Sequence, residues 1–297
     1  MSLQVLALLL SLLQSTPAAE AQTSPFLGRW EGRMIETPGV FEIDFAFDLA
    51  READGLRGRL DWITQGTGIQ DVEKLTINGP EISFATRDAQ GVVTSFDGFL
   101  ADGAIKGDLR EGDHHAPFTL SRGTAQPREP VQLVDLEVQP DELRNRFNAD
   151  KDRLRVVMIV SPTCGGCRMG ALLMQRYVLA QIADPRLRVY VVWEGVARRD
   201  SPSTAAESGA LLADPRVVHF WSAKRYAGNA FKETLKSEKT LWDVFLVYVP
   251  GRVWEGPVPV PDDFMHNRGR ELPSEKLFNG IELASWIRSR LTEPGKR

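Results

Sequence analysis

The sequence predicts two domains: an N-terminal antiparallel β meander or barrel, followed by a C-terminal α/β domain with a mixed sheet. Three observations carry this. Residues 26–122 hold short apolar-alternating runs broken by Asn-Gly and Asp-Gly turns, with no helical period. Residues 131–292 alternate between apolar runs and helical patterns. Between them, residues 123–130 (GTAQPREP) are polar and punctuated by proline, the composition of a linker. A chain of 297 residues is long enough for two cores of ordinary size.

Residues 3–13 form an apolar stretch too short to span a bilayer, and Ala19-Glu20-Ala21 gives a small-residue cleavage pattern. The usual positive segment before the apolar run is missing. Residues 1–21 are read as a signal peptide, which predicts a periplasmic or secreted protein with no stable membrane insertion after cleavage. No cysteine lies near the cleavage point, so a lipid anchor is not implied.

In the first domain, Leu27 to Gly32 opens the region, and Phe41 to Phe47 alternates strictly, with Phe41, Ile43, Phe45 and Phe47 on one face. Further strands are predicted over 55–63, 73–77, 81–86, 92–100, 104–109 and 116–121. Asp54-Gly55, Asn78-Gly79, Asp102-Gly103 and Glu111-Gly112-Asp113 mark turns between them. Connections this short favour antiparallel neighbours, so about seven or eight strands should curl into a small barrel. Gly98 and Gly107 suit close strand packing, and Trp30 suits a plug at a barrel end. His114 and His115 read as an exposed turn, and the aromatic residues as core filling. The architecture loosely resembles the small lipocalin-like barrels attached to some exported enzymes.

In the second domain, residues 131–138 suggest an edge strand, and Pro140 to Leu143 opens a short helix with acids in its first turn. Residues 154–160 and 187–194 read as buried strands, 217–221 as a third and 244–249 as a fourth. Helices are predicted over 165–182, within 198–213, over 223–235 and from Gly280 to Leu291. Ile281, Ala284, Ile287 and Leu291 would form the buried stripe of the last helix. Pro250-Gly251 suggests a tight turn that returns residues 252–256 as a hairpin partner. Strand–helix–strand crossovers imply parallel pairing with right-handed connections.

The chemistry-bearing stretch is Ser161-Pro162-Thr163-Cys164-Gly165-Gly166-Cys167-Arg168, set between a buried strand and a helix. Residues three apart at a helix start share one face, so the two sulfurs can close a small disulfide. Free backbone N–H groups and the helix dipole favour an anion at Cys164, which should be the more acidic thiol. Cys167, one turn in, should be shielded and act as the resolving thiol. Arg168 adds a positive charge nearby. Other uses remain open: a structural disulfide, although so short a loop removes little chain entropy, or copper(I) held by two thiolates. A zinc site normally takes four ligands, and none of the four histidines lies within a few residues of the pair.

Strand, turn, CxxC and helix together resemble the active-site segment of the thioredoxin fold, over roughly residues 131–292. The resemblance implies catalytic roles for Cys164 and Cys167. It also shows departures. Thr163 stands where an aromatic residue is common, Gly165-Gly166 replaces the usual dipeptide, the strand 155–160 lacks the buried acid, and residues 240–244 (TLWDV) hold no proline at the cis-proline position. The fold would instead bring Trp242 and Asp243 near Cys164. Asp243 could act as a base or raise the thiol pKa, and Glu194 sits at the carboxyl end of the neighbouring strand, the edge where ligands bind. His219, inside an apolar strand, reads as a core histidine.

The implied function is an exported thiol–disulfide oxidoreductase whose partner is a protein or small-molecule thiol or disulfide. The alternatives are a binding protein on a thioredoxin-like scaffold and a metal-handling protein. No residue pattern calls for a nucleotide, flavin or other cofactor. A formal net charge of -4 without a basic patch gives no reason to expect nucleic acid as a partner.

Overall fold

The computed structural model describes residues 24–123 and 128–292; the predicted signal peptide and residues 124–127 of the linker lie outside the described residues. Among the described residues, no helix is long and apolar enough to cross a membrane.

Nine strands make the first domain: β1 (Gly28–Thr37), β2 (Phe41–Glu52), β3 (Gly55–Asp61), β4 (Ile69–Asp71), β5 (Glu73–Asn78), β6 (Glu81–Arg87), β7 (Val93–Ala101), β8 (Ala104–Glu111) and β9 (His114–Arg122). All paired neighbours are antiparallel, in the order β4-β3-β2-β1-β9-β8-β7-β6-β5. The two free edges, β4 and β5, are separated only by Val72, so the sheet is a nearly closed antiparallel β barrel. Its centre is packed with aromatic rings: Phe47 and Phe96 both stack on Phe84 at 4.6 Å between ring centroids. Trp30 is buried, donates to the carbonyl of Phe26 at 2.7 Å, and carries the Arg122 guanidinium over its ring at 3.9 Å. Gly98 and Gly107 are register partners, and a Cβ on Gly107 would sit 2.0 Å from the Asp97 carbonyl oxygen. His114 and His115 open β9 as exposed ladder residues paired with Glu111 and Arg110, rather than forming a turn.

The second domain contains β10 (Val134–Asp135), α1 (Glu142–Ala149), β11 (Leu154–Val160), α2 (Gly165–Leu173), β12 (Leu187–Glu194), α3 (Pro202–Gly209), β13 (Val217–Ser222), α4 (Tyr226–Phe231), β14 (Val244–Tyr248), β15 (Asp263–His266) and α5 (Gly280–Thr292). The sheet order is β10-β13-β12-β11-β14-β15. The first four strands are parallel, and β14 and β15 are antiparallel to their neighbours, so the sheet is mixed. Side chains of one face, such as Met158, Trp193 and Phe245, pack with α2 and α5. Those of the other, such as Ile159, Val192 and Leu246, pack with α1 and α4. Burial on both faces explains why these strands read as continuous apolar runs.

Several local expectations are corrected. The partner of β14 is Asp263–His266, not residues 252–256. Pro257, Pro259 and Pro261 cannot donate to a ladder, so pairing resumes only beyond them. Trp254 instead packs edge-on against Phe147 and Phe231, with its backbone held by the Asn148 side chain. The edge strand at 131–138 shrinks to two residues. The helix expected over 165–182 passes at Met174 into a π-helical turn ending at Leu179. On α5, Leu283 takes the buried place expected for Ile281, which is exposed.

The two domains share a polar and apolar seam. On β2, Ile43, Phe45 and Phe47 face the barrel interior, while Glu42, Asp44 and Ala46 face α2 and the π-helical turn. Glu42 is buried and accepts hydrogen bonds from Arg176 and, at 2.5 Å, from the Tyr177 hydroxyl. Arg176 also donates to both carboxylate oxygens of Asp44, at 2.8 and 2.7 Å. Ala46 and Ile63 join the apolar cluster of the second domain beside Cys167.

Candidate active site

Cys164 is the N-cap of α2, in extended backbone geometry, and its sulfur accepts the Cys167 backbone N–H at 3.4 Å. The loop before it is held by one acid. Asp200 accepts from Ser161 Oγ at 2.8 Å, from Thr163 Oγ1 at 2.5 Å and from the backbone N–H groups of Thr163, Val196 and Ala197. Thr163 therefore fixes the turn rather than facing the thiols. The buried Ser208 hydroxyl adds a bond to the Pro162 carbonyl at 2.9 Å.

The thiols differ in environment. Both are free, Cys164 half-buried and Cys167 fully buried. A hydrogen bond from the Cys167 side chain, helped by backbone N–H groups at the helix start, holds the Cys164 thiol below its ordinary value, against burial and the charge of Asp243. Burial pushes the Cys167 thiol well above the ordinary value, and its bond to Cys164 acts the same way.

Asp243 completes the cluster. It immediately precedes β14 on the face that carries Phe245, with a left-handed backbone (φ 55°). One donor atom from each of Cys164, Cys167 and Asp243 lies within 4.8 Å of the other two. Burial raises Asp243 to about 6, against hydrogen bonds from Asn267 and the Cys167 thiol. The Asn267 amide donates to Asp243 Oδ1 at 3.1 Å. A Cβ on Gly166 would lie 3.3 Å from Asp243 Oδ2 and 3.9 Å from the Cys164 sulfur. Trp242, next to it, is half-buried beneath the Arg268 guanidinium at 4.5 Å.

Two of the residues singled out from the sequence point elsewhere. Arg168 donates to the carbonyls of Ile63 at 2.8 Å and Thr64 at 3.1 Å and to Ser208, so its charge is spent on the barrel loop. Glu194 shares the face of Tyr190 and Val192, opposite that of Trp193 and Cys167. Its carboxylate accepts the Gly228 N–H at 2.8 Å and lies 4.0 Å from Arg225, and burial raises it to about 7. His219 is buried, with Trp193 Nε1 3.3 Å from its Nδ1, and burial lowers it to about 4.

Sequence reasoning missed Asp200, Asn267 and Gln65. Asp200 and Asn267 lie in polar connections whose pattern is that of any solvated loop. Gln65, in the loop between β3 and β4, approaches Gly165, with its Cα 3.9 Å from where a Cβ there would be. It also lines a cavity of about 530 Å³ at the barrel end where β1, β3 and β8 finish. Met34, Ile43 and Trp62 form apolar walls of this cavity, and Arg199 of the second domain reaches its rim.

No protein-family model matches the chain, and no curated protein does. Solved structures similar to part of it include the wild-type fluorescent protein UnaG, at 13% identity over 33% of this chain and 97% of that one, with a TM-score of 0.24. A Schistosoma mansoni fatty acid binding protein in complex with arachidonic acid matches at 12% identity over 34% and 98%, with a TM-score of 0.25. Echinococcus granulosus fatty-acid-binding protein 1 matches at 14% identity over 33% and 98%, with a TM-score of 0.24.

Proposed function

We propose that the protein is a thiol–disulfide oxidoreductase working through Cys164 and Cys167 outside the cytosol. The observation that carries this reading is the opposed environment of the two sulfurs: an acidified, half-buried Cys164 at a helix start, and a shielded Cys167 beside a buried carboxylate. The sheet order around β11, with α2 following the CxxC turn, supports a thioredoxin-like domain.

In the reaction, the Cys164 thiolate attacks one sulfur of a partner disulfide, and the other partner sulfur leaves as a thiolate. Cys167 then passes its proton to Asp243 and attacks the Cys164 sulfur, releasing the second partner thiolate. The pair ends as a disulfide, and its two electrons reside on the partner. A dithiol reductant of the compartment restores the pair. Asp243 stands in for the acid missing from β11, approaching from the adjacent strand.

The test is equilibration with glutathione or dithiothreitol mixtures. A potential between about -120 and -270 mV and a mixed disulfide trapped in Cys167→Ser support exchange. A potential below about -300 mV with unreactive thiols favours a structural bridge. A second reading, a ligand-binding protein, is favoured by the cavity at the barrel end.

A further inference from the structure

We propose that the reduced protein binds one zinc ion through Cys164, Cys167 and Asp243, with the fourth position open to water beside the half-buried Cys164. Three observations converge. The donor atoms lie within 4.8 Å of one another, and tetrahedral zinc with Zn–S bonds of about 2.3 Å holds its donors about 3.8 Å apart, so a small contraction closes the site. The space between Asp243 Oδ2 and the Cys164 sulfur is kept by Gly166, where a Cβ would crowd the carboxylate. Finally, the buried carboxylate accepts the Asn267 amide and has no lysine or arginine in an ion pair to it among the described residues, Arg268 acting on it only from over the neighbouring Trp242 ring. Arg168, which directly follows Cys167, is tied to the barrel loop instead.

Two thiolates and a carboxylate around a buried point place three negative charges where the fold supplies a single nearby counter-charge, the Arg268 guanidinium over the Trp242 ring. A divalent cation offsets most of that charge. The mixed sulfur and oxygen set suits zinc, whereas copper(I) takes thiolates alone. On binding, zinc displaces the thiol protons into solvent, and no electron moves. Formation of the Cys164–Cys167 disulfide removes both sulfur ligands, so occupancy is confined to the reduced state. The site needs reduced thiols but does not rest on exchange activity. A redox-inert protein that still binds zinc would separate the two readings.

The experiment uses the whole protein, reduced with a phosphine and freed of reductant, titrated with zinc against a chromophoric chelator and with cobalt(II) by absorbance. The expected result is one metal per chain, none in the oxidised protein, and tetrahedral cobalt bands with sulfur charge transfer. Asp243→Asn, which keeps the shape, should weaken zinc binding about tenfold or more. Asp243→Cys should retain the metal and raise the charge-transfer intensity by about half, reading a third sulfur. Unchanged affinity in Asp243→Asn together with unchanged charge transfer in Asp243→Cys would overturn the site. So would one metal shared by two chains, copper(I) binding without zinc binding, or no uptake by the reduced protein.

Discussion

Asp243 and Cys167 meet beneath the Gly165-Gly166 turn, both buried, and each holds its proton more tightly than in water. The pairing makes the carboxylate the natural acceptor when Cys167 must ionise. In metal-free buffer, Asp243→Asn should slow resolution of the mixed disulfide by about tenfold or more. With the wild type, the resolving rate should fall as pH drops through about 6, where Asp243 protonates. Stopped-flow decay of a trapped mixed disulfide measures both, and a variant with an unchanged rate and pH profile removes Asp243 from the reaction.

At the domain seam, Arg176 is the principal counter-charge of the buried Glu42, with Arg33 farther off at 3.9 Å. Arg176→Ala leaves that carboxylate with the Tyr177 hydroxyl, the Gly39 N–H and the more distant Arg33, and should cost about 3 kcal/mol. If the seam couples the barrel to the α/β part, the wild type should unfold in urea in one transition and Arg176→Ala in two. Unaltered cooperativity would show that the apolar contacts of Ala46 and Ile63 suffice.

Glu194 gives a signed pH dependence. Its folded value of about 7 lies above the ordinary carboxylate value of 4.5, so the folded state binds more protons between the two. The Glu194 contribution to stability should therefore fall as pH rises from about 4.5 to 7, by up to roughly 3 kcal/mol, and it is read as the difference between wild type and Glu194→Gln because His219 and Asp243 titrate in the same window. Glu194→Gln should remove this component, so the two stability curves should diverge by that amount across the window. Thermal melts across the window decide, and parallel curves would refute the burial cost.

Gly107→Ala tests the barrel wall. The added methyl meets the Asp97 carbonyl, which is backbone and cannot rotate away. A loss of about 3 kcal/mol is expected in denaturant titration, against little change for Gly103→Asn at an open, positive-φ turn.

Much of this was readable in advance, and for identifiable reasons. Period-two runs and Asn-Gly or Asp-Gly turns specified the barrel strands, because pleat and turn are local properties. The cysteine pair was readable because helix start and spacing are also local. The orientation of Arg168 was not: it depends on two carbonyls, those of Ile63 and Thr64, more than a hundred residues away in sequence. The role of Glu42 was not legible either, since its partners Arg176 and Tyr177 lie more than 130 residues away in sequence. The true partner of β14 was hidden because Trp254 is pulled into a core by rings that are remote in sequence.

The closure of the barrel sets a timetable for the growing chain. β1 pairs with β2 at once, but its second neighbour, β9, begins only at His114. Even then Glu42 and Ala46 remain uncovered until the segment bearing Arg176 has been made. A nascent chain thus presents, for a time, a finished barrel with an acidic, partly apolar flank. Slow synthesis between residues 122 and 177 would lengthen that exposure, whereas delays before residue 114 would leave the barrel itself unsealed.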